Sequence, residues 1–274
     1  MKNIYITDLD HTFLRNDLSI SDYTKKIWNE EATRSIMSIA TARTYKKTVQ
    51  FLEGVTLNAP MILLDGALIV TQERKIIDTK FISQNVANEM IAVGARVGIY
   101  PFVIALKDEN LNESFLHSST LNDAQKTVLD RYVKDDNLEE HKNLKAPKDN
   151  FKIVYMAEEQ LLRDLTQKMQ EVFGDEYKYI LAPEAYVGCW FLTILHKDAD
   201  KANGIKVVSE YVGFDLENLT VFGDNFNDVG MFALAKNAIA MQNAQEGVKK
   251  KATFVLEHTN DEDGVARYLE SLRG

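Results

Sequence analysis

The chain has one cysteine and four prolines in 274 residues. It has no apolar run near the roughly 20 residues that a membrane-spanning helix needs. The lone thiol, Cys189, excludes an intrachain disulfide and any zinc site built on several thiolates, and it suits a reducing compartment. A small apolar core position is the expectation for it. None of the five histidines stands at His-x-x-x-His spacing. Basic residues are outnumbered, 32 Lys and Arg against 41 Asp and Glu, for a net charge of −9. Nucleic-acid binding is therefore not expected, because neutralising phosphates takes clustered Lys and Arg. The longest basic run, Lys249, Lys250 and Lys251, reads as a solvated helix face. No signal-peptide pattern is visible, since acidic residues follow the first strand at once. A cytoplasmic chain without membrane or nucleic-acid partners, a monomer or weak homodimer, is the resulting expectation.

What is present is a rhythm of short apolar runs alternating with amphipathic segments. Residues 2–7, 35–40 and 60–64 read as strands, and residues 22–34 and 44–53 as helices, the second ended by Gly54. A hairpin is expected over 67–70 and 75–78. Late in the chain, 219–222, 238–241 and 253–256 read as strands, and 228–235, 245–251 and 261–272 as helices. Strands separated by helices imply a parallel sheet with helices on its faces. The middle has another texture. A helix capped by Ser83, strands at 100–106, 114–117, 151–156, 177–181 and 190–195, and helices at 123–134 and 158–173 are expected there, with a charged surface loop over 135–150. The fold class predicted is α/β: a Rossmann-like parallel-sheet core, residues 1–81 and 189–274, interrupted by an α+β cap domain, residues 82–188.

Ligands of an open parallel sheet bind beyond the carboxyl ends of its strands. Three polar stretches fall there: Asp8 and Asp10 in "ITDLDHTF", Thr41 in "SIATAR", and Asp224 in "LTVFGDNFND". On extended chain, residues i and i+2 point the same way, so Asp8 and Asp10 are expected to face one site. Bare carboxylates in a cleft repel one another unless a cation joins them. With Asp224, Asn227 and Asp228 added, the all-oxygen set suits Mg²⁺, which commonly also holds a phosphate. Either motif alone also fits a turn or helix cap; the two together favour a site. The sequence contains no Gly-x-Ser-x-Gly elbow, no Gly-x-x-x-x-Gly-Lys loop and no Gly-x-Gly-x-x-Gly fingerprint. A carboxylate nucleophile remains: Asp8 attacking phosphorus to give an aspartyl-phosphate.

These residues resemble the haloacid dehalogenase superfamily, and within it the Cof-type phosphatases with a large inserted cap. Asp8-Leu9-Asp10-His11-Thr12 matches the Asp-x-Asp-x-Thr motif, Thr41 the Ser/Thr after an apolar strand, Lys201 the lysine opening a helix, and residues 223–228 Gly-Asp-x-x-Asn-Asp. The resemblance implies Asp8 as nucleophile and Asp10 as acid and base. It implies phosphate contacts at Thr41, Lys201 and Asn227. Asp8, Asp224 and the Asp10 carbonyl would touch Mg²⁺, with Asp228 just behind. His11, Ala42 and Asp65 depart from the usual family residues, which bears on selectivity. The implied activity is hydrolysis of phosphomonoesters of small metabolites, sugar phosphates first, under a cap that excludes water and selects the leaving group. Cap aromatics Phe102, Phe115, Tyr186 and Trp190 would touch substrate or serve as core. Arg43 would touch phosphate or form a surface salt bridge. Alternatives with the same motifs are a phosphomutase, a non-hydrolytic phosphoacceptor or binding protein, and a carbon–halogen hydrolase.

Overall fold

The computed structural model describes residues 2–132, 137–184 and 188–273. The chain divides into two compact units, residues 1–79 with 200–274 and residues 80–199.

The first unit is built on a five-stranded parallel sheet, ordered Phe254–Val255, Asn237–Ala240, Leu219–Gly223, Ile4–Thr7, Ile36–Ile39. All four residues of Ile4–Thr7 and all five of Leu219–Gly223 are buried. That is why these runs read as continuous rather than alternating: a parallel strand is covered on both faces. The covering helices form two groups, Asp22–Ala32 with Gly264–Ser271 and Lys201–Val212 with Val229–Leu234. Side chains set the helix starts. Ser21 accepts a hydrogen bond from Thr24 N, and Asp200 from Asn203 N, satisfying amide groups that the helix leaves open. The expected strand near 60–64 is Met61–Leu63. It meets the parallel strands through one parallel bridge, Ala40 to Ile62, and otherwise forms an antiparallel sheet with Leu68–Val70 and Ile76–Thr79. The tight turn Leu64–Gly66 returns the chain directly, so its own hairpin takes the edge.

The second unit carries an antiparallel sheet ordered Tyr177–Glu184, Cys189–His196, Asp149–Ala157, Phe102–Leu106, Glu113–Ser118, Leu138–His141, in which only the last pair is parallel. Helices Gln84–Ala95 and Glu159–Phe173 pack on it, with Met90, Leu162, Leu165 and Met169 against Ile153, Tyr155 and Ile194. Two differences from the sequence reading follow from pairing. Cys189–His196 is bonded to strands of this sheet on both sides, so the unit runs to Ala199 rather than stopping at Gly188. Within the polar tract at 135–150, Leu138–His141 is an edge strand. Glu139 there accepts from Lys107 and Ser114, which is how so charged a segment joins a sheet. Phe102 is wholly buried, with its ring tilted against Phe115 and edge-on to His117, and Trp190 packs against the apolar cluster under the helices. Tyr186, and residues 133–136 at the helix–loop junction, lie outside the described residues. Among the described residues no helix is long and apolar enough to cross a membrane.

Candidate active site

Parallel pairing brings three remote segments to one level. Thr7 is opposite both Phe222 and Ile39, so the residues that follow each strand, Asp8, Asp224 and the Ala40–Thr41 pair, emerge together. Asp8 N continues the ladder by donating to Phe222 O at 3.0 Å. Carboxylate oxygens of Asp8, Asp224 and Asp228 lie within 4.8 Å of one another, and all three residues are buried.

Among the described residues, Lys201 is the cation bonded to this cluster. Lys201 opens its helix with its side chain fully buried, and Nζ stands 2.6 Å from both Asp8 Oδ1 and Asp228 Oδ1. Gly66 is needed for that placement. A Cβ there would sit 2.2 Å from Asp200 O, so only glycine lets the Leu64–Gly66 turn lie against the helix start. Asp228 is fixed from several sides: Oδ2 accepts from Asp224 N at 2.9 Å and Asn225 N at 3.0 Å, while Oδ1 takes Lys201. Gly223 makes room for it, since a Cβ would fall 2.5 Å from Asp228 Cγ.

Asp224 Oδ1 accepts from Thr12 Oγ1 at 3.0 Å. Among the described residues, Asp8 Oδ2 and Asp224 Oδ2 have no donor. Burial, and then the neighbouring Asp228 carboxylate, push Asp224 up to about 6. Burial also raises Asp8 well above the carboxylate range, against the pull of Lys201 and with Asp228 and Asp224 adding to the rise. For Lys201, burial alone would favour the neutral amine. The Asp8 and Asp228 carboxylates outweigh it and hold the ammonium charged well above its usual range. Three buried carboxylates thus lie around one ammonium that bonds two of them, and two oxygens have no donor among the described residues. That excess of hard oxygen donors fits a divalent cation such as Mg²⁺, which Asp8 and Asp224 could hold.

Asp10 behaves otherwise. Beyond the strand, Leu14 N donates to Leu9 O and closes a loop over Leu9–Phe13, in which Asp10 keeps extended angles (φ −65°, ψ 131°) and His11 takes a left-handed φ of 55°. The Asp10 carboxylate is not among the clustered oxygens of Asp8, Asp224 and Asp228. It is gripped by Arg43, with Nε to Oδ2 at 2.7 Å and Nη2 to Oδ1 at 2.5 Å. Arg43 is thus in an ion pair, and its partner is the very aspartate singled out as acid and base. Thr41 is fully buried, and its Oγ1 accepts from Arg43 N at 3.2 Å. Asn227 is exposed, and its Nδ2 donates to Asp65 Oδ1 at 3.2 Å. Asp65 follows Leu64 in a turn where both take positive φ, 56° and 52°. For non-glycine residues that is uncommon and costly. Thr41 O and Arg43 O hold the turn by accepting from Asp65 N and Leu64 N. His11 faces Asn16 at 3.1 Å and is exposed. The hydroxyl of Thr12 and the carboxylate of Asp65 had no assigned task in the sequence. The only signal for Thr12 was its place in the first motif.

The chain matches the family model described as haloacid dehalogenase-like hydrolase over residues 5–269, and it belongs to that family. A Mycoplasma pneumoniae relative is 42% identical over 79 residues, a match taking in 29% of this chain and 28% of that protein. The Bacillus subtilis 5-amino-6-(5-phospho-D-ribitylamino)uracil phosphatase is 24% identical over 271 residues, 96% of this chain and 94% of that one. A Thermotoga maritima crystal structure superposes with a TM-score of 0.81 at 25% identity, covering 99% of this chain and 97% of that one. The chain is thus a hydrolase of this family, among relatives named as phosphatases.

Proposed function

We propose that the protein is a Mg²⁺-dependent phosphomonoester hydrolase that works through an aspartyl-phosphate on Asp8. One observation carries the reading. Asp8 is buried at a strand end, one oxygen on Lys201 and the other without a donor beside the equally unpartnered Asp224 Oδ2. A buried carboxylate at the meeting point of three strand ends is costly unless cations complete it, and such perturbed groups concentrate at working sites.

In this reading, Asp8 and Asp224 hold Mg²⁺, and the Asp10 backbone carbonyl is a further candidate ligand. The metal's contribution is positive charge for the carboxylates and for the phosphoryl oxygens. Thr41, Lys201 and Asn227 hold those oxygens in place. An Asp8 oxygen attacks phosphorus as the bond to the leaving oxygen breaks. Asp10 gives that oxygen a proton. It then takes one from water, which attacks phosphorus and frees Asp8 and inorganic phosphate. Because phosphomonoesters hydrolyse so slowly in water, positioning and charge neutralisation are what the site must supply.

The substrates proposed are small phosphorylated metabolites. The Bacillus subtilis relative is named for a substrate that carries its phosphate on a ribityl chain, which supports sugar phosphates and phosphorylated polyols as the first compounds to try. A cytoplasmic setting stays part of the proposal on the strength of the single thiol. The test is a phosphate-release screen over such compounds with Mg²⁺ or chelator, comparing wild type with Asp8→Asn. Release that needs both Mg²⁺ and Asp8 is expected. Equal rates in the two proteins reject Asp8 as the attacking group, and transfer of the phosphoryl group to a second sugar without free phosphate rejects the hydrolase.

A further inference from the structure

Arg43 and Asp10 are 33 residues apart in sequence and meet in a two-point fork, Nε on one carboxylate oxygen and Nη2 on the other. The guanidinium is held in plane by the ring of Phe51, with its central carbon 4.5 Å from the ring centroid. Its backbone is tied down too: Arg43 N donates to Thr41 Oγ1 and Arg43 O accepts from Leu64 N. A loose surface pair would have none of this support. The pair is still reachable from solvent, with side-chain exposure of 23% for Arg43 and 35% for Asp10.

This arrangement conflicts with the work assigned to Asp10. The fork takes one lone pair on each carboxylate oxygen and holds the group on Arg43, apart from the clustered oxygens of Asp8, Asp224 and Asp228. To meet a leaving-group oxygen beside Asp8, Asp10 has to leave the fork. A guanidinium fork fits the oxygens of a phosphoryl group as well as those of a carboxylate. Arg43 also sits beside Thr41, at the strand end where the phosphoryl group is proposed to bind. Lys201, by contrast, is fully buried and bonded to both Asp8 and Asp228, and its third N–H can meet a phosphoryl oxygen without giving up either carboxylate.

We propose that Arg43 is a positioning residue that parks Asp10 between turnovers and releases it by transferring its fork to the oxygens of an arriving phosphoryl group. The acid and base is then free only when there is a phosphate ester to cleave. This inference rests on the phosphatase reading and adds a coupling to it.

The experiment is calorimetric titration of inorganic phosphate, with Mg²⁺ present, into wild type, Asp10→Asn, Arg43→Ala and the double variant. Phosphate competes with Asp10 for Arg43, so Asp10→Asn is expected to tighten binding at least about threefold, the scale of a half-exposed ion pair. In the Arg43→Ala background the same change is expected to leave affinity within about 1.5-fold, since nothing remains to compete for. The same tightening in both backgrounds would mean a through-space charge effect and would overturn the proposal, as would an Arg43→Ala protein that binds phosphate as wild type does. Arg43→Lys keeps a charge without a fork. It is expected to restore part of the phosphate affinity lost in Arg43→Ala, and with p-nitrophenyl phosphate to raise KM more than it lowers kcat; a fall in kcat at unchanged KM counts against the exchange. If phosphate release is Asp8-dependent but the cycle is additive, the exchange fails alone. If wild type releases no phosphate from any compound, the functional reading fails and takes the exchange with it.

Discussion

Replacing Asp224 by Asn should make the metal-free protein more stable while removing its response to Mg²⁺. Asp224 is 8% exposed, and its carboxyl is pushed from 3.8 to about 6 by burial and by Asp228. Because the folded-state value lies above the unfolded one, the fold favours the protonated acid. That contribution is complete below pH 3.8 and is lost as pH rises through 6. At pH 7.5 the folded chain therefore carries an ionised Asp224 at a cost of about 3 kcal/mol, from about two pH units at 1.36 kcal/mol each. Asn has the same shape, can still accept from Thr12, and has no charge to desolvate. In chelator at pH 7.5 the variant should gain about 1–3 kcal/mol, a rise of roughly 3–10 °C in the melting midpoint for a unit of this size. The gain should fade as pH drops from 6 toward 4. Adding Mg²⁺ should reverse the order: at a thousandfold excess over its dissociation constant a ligand adds about 4.1 kcal/mol, and wild type should receive it while the variant does not. Thermal melts at pH 7.5 and 4.5, with chelator and with Mg²⁺, measure all of this. A variant less stable than wild type in chelator at pH 7.5, or as responsive to Mg²⁺, would refute the account of the cluster.

Lys201→Met should destabilise the chain by about 3–5 kcal/mol in denaturant titrations, because it leaves Asp8 and Asp228 buried without their ammonium; a loss under about 1 kcal/mol would mean that the carboxylates are solvated or protonated. Gly223→Ala should weaken both Mg²⁺-induced stabilisation and turnover, since the added methyl lies 2.5 Å from Asp228 Cγ and must displace the brace of Asp224; unchanged Mg²⁺ response would show that the brace is dispensable. Asp10→Asn should slow release of alkyl leaving groups more than of p-nitrophenol, which departs with little help from an acid; equal slowing would count against its role as proton donor.

Much of the site was legible because it lies where strand patterns end. Asp8, Thr41 and Asp224 each follow an apolar run, and parallel pairing alone brings such residues to one edge. Lys201 was legible from the helix start behind Asp200. Side-chain direction was not. The two-residue alternation sets Asp10 beside Asp8 only within a regular strand, and the strand ends at Thr7; the Asp10 carboxylate goes to Arg43, 33 residues away, a partner that no local pattern announces. Nor could pattern show that Asp65 would reach Asn227, because two consecutive non-glycine residues at positive φ are seldom read from sequence. Leu138–His141 escaped assignment because it is polar, as an edge strand can be. Met61–Leu63 was assigned as a strand, but periodicity carries no information about partners, and its antiparallel pairing with Leu68–Val70 was not legible.

The central claim is that Asp8 itself takes the phosphoryl group. Rapid quenching of the enzyme during turnover, followed by borohydride reduction, converts an aspartyl-phosphate to homoserine, which peptide mass spectrometry can locate. Homoserine at position 8, dependent on substrate and absent without it, is the predicted result. Phosphate release without any reduced residue at that position, or with the label at Asp10 instead, would contradict it.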